Sequence, residues 1–343
     1  MQDQIPRINT FIIGENMIIL IIRIISVLLL VTVISLIIDN RRFVVRRYLL
    51  HSSKIKSPVR LVFLADLHEK LYGDDNNALV EAVKAAAPDA ILVGGDLIVS
   101  GRVYKSSKKS RQPGEDGAVS QEWMENSLSL MKRLTQICPV WFVQGNHELR
   151  LEYYEELHEY NEKFIEEMEK AGVRMLHNGV VDPLKESSGG KDSGVLIYGL
   201  ELPIRFYKKF RRTKLSVEEI REIAGDPDRS SYVVLLTHMP AYFPQYAQWG
   251  SDLCLCGHVH GGLMRLPVLG GVVGTRPSLF PKYSGGQYFY SAVTDKKKHL
   301  SSMVLTCGLG MHTLPIRIFN PGEVSVIELE PVNKKQEDNN GTK

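Results

Sequence analysis

Aspartate, asparagine and histidine side chains follow five short apolar runs, at the point where each run ends. The runs lie at residues 61–65, 90–93, 140–143, 232–236 and 253–256. The polar residues that come after them are Asp66, His68, Asp96, Asn146, His147, His238, His258 and His260. Because ligands bind beyond the carboxyl ends of strands in open α/β sheets, we expect these side chains to converge on one place.

This set of side chains has the chemistry of a metal site. Burying carboxylates and imidazoles together is costly unless a cation compensates them. The donors are nitrogen and oxygen without a thiolate, which suits Mn first, and Fe or Zn as alternatives, better than a calcium loop. Seven candidate ligands exceed the needs of one tetrahedral ion, so two divalent ions are the simpler interpretation. Two ions about 3.5–4 Å apart can clamp the attacking and leaving oxygens of a displacement at phosphorus.

The elements that must position these residues follow an α/β rhythm. Helical patterns at 78–87, 123–137, 151–170 and 216–224 alternate with the apolar runs, which predicts an α/β domain. The runs are continuous rather than alternating, which is typical of strands covered on both faces. The polar stretch 102–120 is expected to be a surface insertion.

Residues 17–38 are almost entirely apolar, and Arg23 is their only charged residue. Twenty-two residues at about 1.5 Å each reach about 33 Å, enough to cross a bilayer core. A buried core helix and a cleaved signal peptide are the alternatives, but no small-residue cleavage site follows the run. Basic residues follow it at Arg41, Arg42, Arg46, Arg47, Lys54 and Lys56. The positive-inside rule therefore predicts a single-pass protein of the cell membrane with its α/β domain on the cytoplasmic face.

Composition excludes several classes of protein. The chain has 343 residues, 44% hydrophobic and 24% charged, which is unlike a disordered chain, a fibre or a polytopic membrane protein. The net charge of +3 gives no signal for nucleic-acid binding, and four cysteines are too few for a disulfide scaffold. The expected segments are a tail (1–16), a transmembrane helix (17–38), a basic juxtamembrane linker (39–59), the α/β domain (60–332) and a disordered tail (333–343).

The motifs occur in the order found in a known superfamily. They are Asp66-Leu67-His68, Gly95-Asp96, Gly145-Asn146-His147-Glu148, His238 and Gly257-His258-Val259-His260. From about residue 60 to residue 330 the chain resembles the calcineurin-like metallophosphoesterases, and within them the single-span bacterial phosphoesterases of the YkuE/YaeI type. The resemblance implies a four-layer αββα sandwich preceded by one transmembrane helix.

The resemblance also implies roles for the motif residues. One metal ion would be held by Asp66, His68, Asp96 and His260. The other would be held by Asp96, Asn146, His238 and His258, with Asp96 as the bridge. A metal-bound hydroxide would attack phosphorus, and His147 would protonate the leaving oxygen or stabilise the charge there. Glu148 would either orient a histidine or serve as an acidic residue at a helix N-terminus.

Two departures from the superfamily bear on the substrate. Leu263 stands where similar proteins commonly have Gln, and the segment 95–101 lacks the second Asp and the Arg of the phosphoprotein phosphatases. The first departure bears on a substrate contact, and the second argues against a protein phosphatase. The predicted anchor holds the domain near the bilayer, and some members of the superfamily cleave the pyrophosphate of a UDP-linked acylated glucosamine. The resemblance therefore implies a phosphodiester or pyrophosphate as the substrate, lipid-linked or a nucleotide sugar. The alternatives are a phosphodiesterase for soluble nucleotides and a non-catalytic scaffold. Arg265, Arg276 and Tyr283 are candidate substrate contacts that no spacing pattern requires, and His312 is expected to be structural or exposed.

Overall fold

The computed structural model describes residues 5–110, 122–187, 191–208, 213–266, 269–274, 278–294, 297–312 and 314–332. Its helices are α1 (Ile5–Asp39), α2 (Asn77–Ala86), α3 (Ser100–Ser110), α4 (Glu125–Leu134), α5 (Asn146–Tyr153), α6 (His158–Lys170), α7 (Pro183–Ser187), α8 (Val217–Ala224) and α9 (Phe243–Trp249). The strands in the first half of the chain are β1 (Phe43–Ser52), β2 (Val59–Leu64), β3 (Ala90–Val93), β4 (Val140–Phe142), β5 (Arg174–Met175), β6 (Val180–Val181) and β7 (Val195–Leu200). Those in the second half are β8 (Tyr232–Thr237), β9 (Leu253–Cys256), β10 (Met264–Leu266), β11 (Gly270–Val273), β12 (Gly286–Thr294), β13 (Lys297–Leu305) and β14 (Gly322–Pro331).

The strands form two six-stranded sheets and one small hairpin. The first sheet has the order β1-β14-β2-β3-β4-β5, in which β2 to β5 are parallel and β14 runs antiparallel to β2. The second has the order β12-β13-β9-β8-β7-β6, with β7, β8, β9 and β13 parallel and antiparallel edges at β6 and β12. Strands β10 and β11 pair with each other.

Side chains alternate along the central strand β2 between two hydrophobic clusters. Val62 and Leu64 pack with residues of α2, α4 and α6. Leu61 and Phe63 point to the other face and pack against residues of the second sheet. The period of two residues in a strand therefore gives β2 one helix-covered face and one sheet-covered face.

The second sheet repeats this arrangement in β8. Val234 and Leu236 belong to the cluster between the sheets, whereas Val233 and Leu235 pack with residues of α8 and α9. The layers therefore run helix, sheet, sheet, helix, and the predicted four-layer αββα sandwich is confirmed.

The N-terminal region differs in part from the sequence-based expectation. The apolar helix is present, and its stretch Asn16–Asp39 has a mean hydropathy of 3.1 and is long enough to cross a membrane. Within the expected linker 39–59, however, β1 pairs with β14 over ten residues. Side chains of β1 also contact β14. Arg46 forms an ion pair with Glu323 at 3.2 Å, and Tyr48 donates a hydrogen bond to the same carboxylate at 3.0 Å.

Two other expected segments lie partly or wholly outside the described residues. The expected insertion 102–120 begins inside helix α3, which ends at Ser110. The rest of that insertion and the expected disordered tail 333–343 lie outside the described residues.

Candidate metal centre

The structure brings the predicted ligands together at one end of the sandwich. They follow the carboxyl ends of β2, β3, β8 and β9, or start helix α5, as Asn146 does. Among the described residues, three groups of side chains stand close enough to hold an ion, with one potential ligand atom per residue and all atoms of a group within 4.8 Å of one another. Two of them consist of predicted ligands, namely Asp66 with His68 and His260, and Asp96 with His238 and His258. The third joins His68 with His147 and the exposed His312.

Three histidines are oriented by backbone carbonyls. The Nδ1 atoms of His68, His238 and His260 lie 3.1, 2.6 and 3.1 Å from the carbonyl oxygens of Ile98, Gly94 and Gly310. Only a protonated Nδ1 can donate to a carbonyl, so the neutral ring keeps a lone pair on Nε2. All three rings therefore turn Nε2 toward the centre, as metal-binding histidines do. Burial keeps His68 and His260 neutral, so their Nε2 lone pairs are free, whereas His238 Nε2 faces the Asp96 carboxylate at 3.1 Å.

The Asp96 carboxylate lies between the two groups. Its Oδ2 is 3.1 Å from His238 Nε2 and 3.9 Å from His68 Nε2, and these two histidines belong to different groups. On the other side, His238 Nε2 and His260 Nε2 lie 3.8 and 4.0 Å from Asp66 Oδ1. Asp96 Oδ2 therefore lies within 4 Å of a histidine from each of the two groups.

The buried carboxylates of Asp66 and Asp96 make the site favourable for cations. Burial raises the pKa of Asp66 to about 7, with the Asp96 carboxylate adding to the effect. Burial alone would also raise the pKa of Asp96, but the neighbouring His238 brings it well below its usual range. Burial opposes the charged form of His238, yet the Asp96 carboxylate raises the pKa of His238 to about 9. Two buried carboxylates therefore compete for positive charge.

The residues present fit divalent ions. Among the described residues, His68 Nε2 and Asn146 Oδ1 are buried and have no hydrogen-bond partner. Because burial lowers the pKa of His68 to about 4, this lone pair stays available at neutral pH. Orphaned buried acceptors are rare in folded proteins, and a bound cation satisfies them.

His147 is arranged differently from the three oriented histidines. The backbone N–H of Ser100 donates to His147 Nδ1 at 3.0 Å, so the proton of the neutral ring sits on Nε2. Burial holds the pKa of His147 well below its usual value and keeps the ring neutral. Nε2 lies 4.0 Å from Asp96 Oδ2 and has no hydrogen-bond partner among the described residues. His147 therefore offers a hydrogen-bond donor to the centre and not a ligand lone pair.

The backbone around the ligands is in an uncommon conformation. Left-handed φ angles between 50° and 77° occur at Asp66, His68, Asp96, His258 and His260. Such angles are uncommon outside glycine and cost of order 1–3 kcal/mol each, and they cluster at functional sites. Glycines make the turns possible nearby, because a Cβ on Gly95 would lie 2.2 Å from the backbone nitrogen of Gly145.

Glu148 stabilises the turn at Asp96. The hydrogen bonds of its carboxylate come from backbone N–H groups and not from a histidine. Its fully buried carboxylate accepts hydrogen bonds from the backbone N–H groups of Asp96, Leu97, Ile98 and Gly145, at 2.8–3.3 Å. The bond from Gly145 also caps helix α5. Of the two roles expected for Glu148, the acidic residue at a helix N-terminus is therefore the one in place.

Two polar residues brace the ligand loops from outside the motifs. The fully buried Arg317 donates to five carbonyl oxygens, including that of Gly310, which also receives the His260 ring. The Asn320 side chain donates to the carbonyls of His260 and Gly262, both at 2.8 Å.

A cavity of about 760 Å³ opens over the centre. Sequence motifs did not point to several of its lining residues, namely Arg102, Lys105, Arg150, Tyr207, Met311 and Leu314. These residues are single positions in loops and helices, so no spacing pattern marks them. Leu263 also lines the cavity, where it forms part of an apolar wall.

Four further residues were named from the sequence as structural or as candidate substrate contacts: His312, Arg265, Tyr283 and Arg276. His312 is exposed as expected, but its ring lies 4.6 Å from that of His147 and 4.8 Å from that of His68, inside the centre. Arg265 donates to the carbonyls of Ser284 and Gly285 and is held within the chain. Tyr283 lines a groove that also reaches His258, and Arg276 lies outside the described residues.

Comparison with known proteins gives a family and several relatives. Residues 59–262 match the model of the calcineurin-like phosphoesterases. YpbG of Bacillus subtilis, an uncharacterized protein, is 25% identical over 223 residues, which is 64% of this chain and 68% of the relative. An uncharacterized metallophosphoesterase of Helicobacter pylori is 23% identical over 290 residues, which is 83% of this chain and 63% of that protein, so the match leaves more than a third of it uncovered.

A third relative carries one of the names suggested by the sequence motifs. The uncharacterized metallophosphoesterase YkuE of Bacillus subtilis is 28% identical over 102 residues, which is 30% of this chain and 32% of that protein. The family match covers more than half of the chain and contains all the predicted ligands, and the structure gathers these ligands at one end of the sandwich. The chain therefore belongs to the calcineurin-like phosphoesterases, a membership that implies metal-dependent hydrolysis of phosphoesters.

Proposed function

We propose that this chain is a membrane-anchored phosphoesterase that uses two divalent metal ions to hydrolyse a phosphodiester or a pyrophosphate. The observation that carries the proposal is the pair of ligand groups with Asp96 between them. In these groups three histidines give their Nδ1 protons to backbone carbonyls and keep Nε2 for a metal ion.

The proposed division of ligands follows the geometry. One ion would contact Asp66, His68 and His260, and the other would contact Asn146, His238 and His258, with Asp96 contacting both. When bound, such ions supply Lewis-acid chemistry, in that they lower the pKa of a water so that it can attack phosphorus near neutral pH. The mixed nitrogen and oxygen donors favour Mn, with Fe or Zn as alternatives.

We assign His147 the role of stabilising the charge on an oxygen of the reacting phosphoryl group by donating a hydrogen bond to it. Its neutral ring carries the proton on Nε2, because Nδ1 is occupied by the N–H of Ser100. A neutral imidazole is a good hydrogen-bond donor but a very weak acid. Of the two roles expected for His147, donation of a hydrogen bond is therefore favoured over donation of a proton.

The walls of the cavity support a substrate with both charge and apolar surface. Arg102, Lys105 and Arg150 lie on helices α3 and α5 at one side of the cavity, where they can contact a second anionic group. Leu263 and the loop that carries Met311 and Leu314 contribute apolar surface. A pyrophosphate or phosphodiester in a lipid-linked molecule or a nucleotide sugar has this combination.

Anchoring is assigned to α1, and the domain to the cytoplasmic face. Support comes from the apolar stretch Asn16–Asp39, whose most apolar 18 residues are all unburied, and from the arginines that follow it. In this proposal the domain begins at β1, so residues 43–52 belong to it and the linker is correspondingly short.

The test is hydrolysis by the full chain in detergent with Mn²⁺. The substrates are a bis-aryl phosphodiester, an aryl monoester, a soluble nucleotide diester, and a UDP-sugar pyrophosphate with and without acyl chains. We expect cleavage of the diester or the pyrophosphate that disappears with chelator and in Asp96→Asn. Equal turnover of soluble nucleotides would favour a general nucleotide phosphodiesterase, and no metal-dependent turnover of any substrate would favour the non-catalytic scaffold.

A further inference from the structure

The end of helix α1 is tied to the loop that braces a predicted metal ligand. Ser35 Oγ accepts a hydrogen bond from the backbone N–H of Phe319 at 2.7 Å, and Asp39 Oδ2 accepts one from that of Asn320 at 3.1 Å. Asn320 in turn donates its side-chain amide to the carbonyl of His260 at 2.8 Å. Asn320 therefore links the last turn of α1 to the loop that carries His260.

The register of the sheet places this junction at the metal end of the sandwich. Strand β1 begins four residues after the end of α1, and its first residue, Phe43, pairs with Gly322 at the start of β14. Because β14 is antiparallel to β2, its start lies beside the carboxyl end of β2, which leads to Asp66. Helix α1 thus joins the domain at the end that carries the ligands. The opposite end of the same ladder is the pair Ser52 and Pro331.

The length of α1 sets the depth of the junction in a bilayer. The 24 residues of Asn16–Asp39 extend about 36 Å at 1.5 Å per residue, compared with a hydrocarbon core of about 30 Å. The surplus of about 6 Å, roughly one turn, corresponds to the headgroup region. Ser35 to Asp39 form this last turn, so Phe319, which Ser35 holds, lies at the level of the headgroups.

Exposed apolar side chains surround this junction. They come from three segments that hydrogen-bond to one another: the hairpin β10–β11, the segment 278–280 and the loop 314–319. We define them as the apolar rim, which consists of Leu269, Leu279, Phe280, Leu314 and Phe319, with exposures of 65%, 73%, 64%, 51% and 38%. Several large apolar side chains exposed on one side of a soluble domain mark an interaction surface.

Basic side chains accompany the rim. Arg41 is exposed directly after α1, and Lys282 follows Phe280 by two residues, with its ammonium 5.0 Å from the ring centroid of Tyr283. Basic residues beside apolar and aromatic side chains are the combination that binds an anionic lipid surface.

We propose that the apolar rim rests on the surface of a lipid bilayer with anionic headgroups, so that the metal end of the sandwich faces the membrane. The inference rests on the proposed function in taking α1 as a membrane span. It deepens that function, because Leu314 belongs both to the rim and to the wall of the metal cavity. A phosphoester carried in the headgroup layer can therefore reach the centre without leaving the membrane surface.

Tryptophan fluorescence in vesicles tests the contact. The full chain is reconstituted in vesicles of equimolar phosphatidylcholine and phosphatidylglycerol, with lipids brominated on the acyl carbons next to the headgroup. The probes are Phe280→Trp and Phe319→Trp, which exchange one exposed aromatic ring for another. The native tryptophans, Trp123, Trp141 and Trp249, are all at most 5% exposed and give a constant background.

A matched control lies at the other end of the molecule. Leu300 is 65% exposed and precedes Ser302, which pairs with Leu253 at the start of β9. Leu300 therefore lies beyond the end of β9 that is opposite the metal ligands. Leu300→Trp reports an equally exposed position that should not meet the lipid.

We expect the brominated lipids to quench the added fluorescence of both rim variants and to leave that of Leu300→Trp unchanged. Equal quenching of rim and control, or no quenching at the rim in a chain that floats with the vesicles, would overturn the proposal. A chain that does not float with the vesicles would overturn it together with the anchoring role of α1. Hydrolysis of the bis-aryl phosphodiester by the same samples reports separately on the metal chemistry.

Discussion

The position of Gly145 leaves no room for a side chain beside the Asp96 carboxylate. A Cβ added to Gly145 would lie 2.3 Å from Asp96 Oδ1 and 2.6 Å from the Asp96 backbone nitrogen. The backbone of Gly145 has φ −92° and ψ −174°, an extended conformation that alanine adopts readily. Gly145→Ala therefore tests the space around Asp96 without adding backbone strain.

The size of the effect follows from the overlap. Ordinary contact with a Cβ begins near 3.4 Å, so the carboxylate oxygen has to move by about 1 Å from its 2.3 Å position. Overpacking of this kind costs about 1–3 kcal/mol of stability. A misplacement of about 1 Å in a catalytic group costs about 100-fold in rate. Because Asp96 lies between both ligand groups, we expect the occupancy of both ions to fall.

The assay combines metal content, hydrolysis and melting. Gly145→Ala should bind Mn²⁺ more weakly, hydrolyse a bis-aryl phosphodiester about 100-fold more slowly, and show a Tm lower by about 2–4 °C for each kcal/mol lost. The matched control is Gly101→Ala, because Gly101 lines the same cavity in helix α3 and a Cβ there would meet nothing within 4 Å. This control should bind metal normally and melt at the same temperature or higher, since alanine favours a helix by up to about 1 kcal/mol over glycine.

One result would refute this reasoning. If Gly145→Ala bound two ions and turned over substrate at the wild-type rate, the Asp96 carboxylate could not be held in place by the packing of Gly145. A fall in Tm without a change in metal binding would separate the packing cost from the role of Asp96 and would contradict its bridging position.

Three further predictions use other parts of the molecule. His147→Ala should keep its metal ions and slow hydrolysis by about 100-fold or more, as the loss of a preorganised donor does, and a parallel loss of metal would contradict its assignment. Removal of residues 1–40 should leave a folded domain, whereas removal of residues 1–52 deletes β1 and should lower the Tm; equal melting of the two truncations would count against β1 as part of the domain. The hydrogen bond to Glu201 raises the pKa of His177, so this pair stabilises the fold below the ordinary histidine pKa of about 6.5 and loses its effect as the pH rises through the raised value. His177→Gln should therefore lower the Tm at acidic pH and not at alkaline pH, and equal shifts at both would contradict the pairing.

The layered fold and the place of the ligands could be predicted from the sequence for a physical reason. Parallel strands end at one edge of a sheet, so polar residues that follow several apolar runs meet there without further information. The predicted runs at 61–65 and 253–256 became β2 and β9, and the ligands after them stand at the same end of the sandwich.

Other features depend on contacts that no local pattern reveals. Strand β1 contains the adjacent Arg46 and Arg47, which the sequence placed in a basic linker. In the structure β1 pairs with β14, and the two arginines contact Glu323 and Glu328 of that strand. Tyr207 reaches the cavity from a short helical turn, and Arg317 donates to five carbonyl oxygens of the surrounding segment 307–321. The left-handed φ angles at the ligands are likewise imposed by tertiary packing and not by residue type.

The central claim is that two ligand groups share Asp96 and hold two divalent ions. Its most direct test is the metal content of the purified full chain after equilibration with Mn²⁺ and removal of free metal, measured for wild type and Asp96→Asn in parallel. We expect two ions per wild-type chain and a loss of tightly bound metal in the variant, with both proteins folded. Wild-type protein that holds no metal, or an Asp96→Asn variant that keeps two ions, would contradict it.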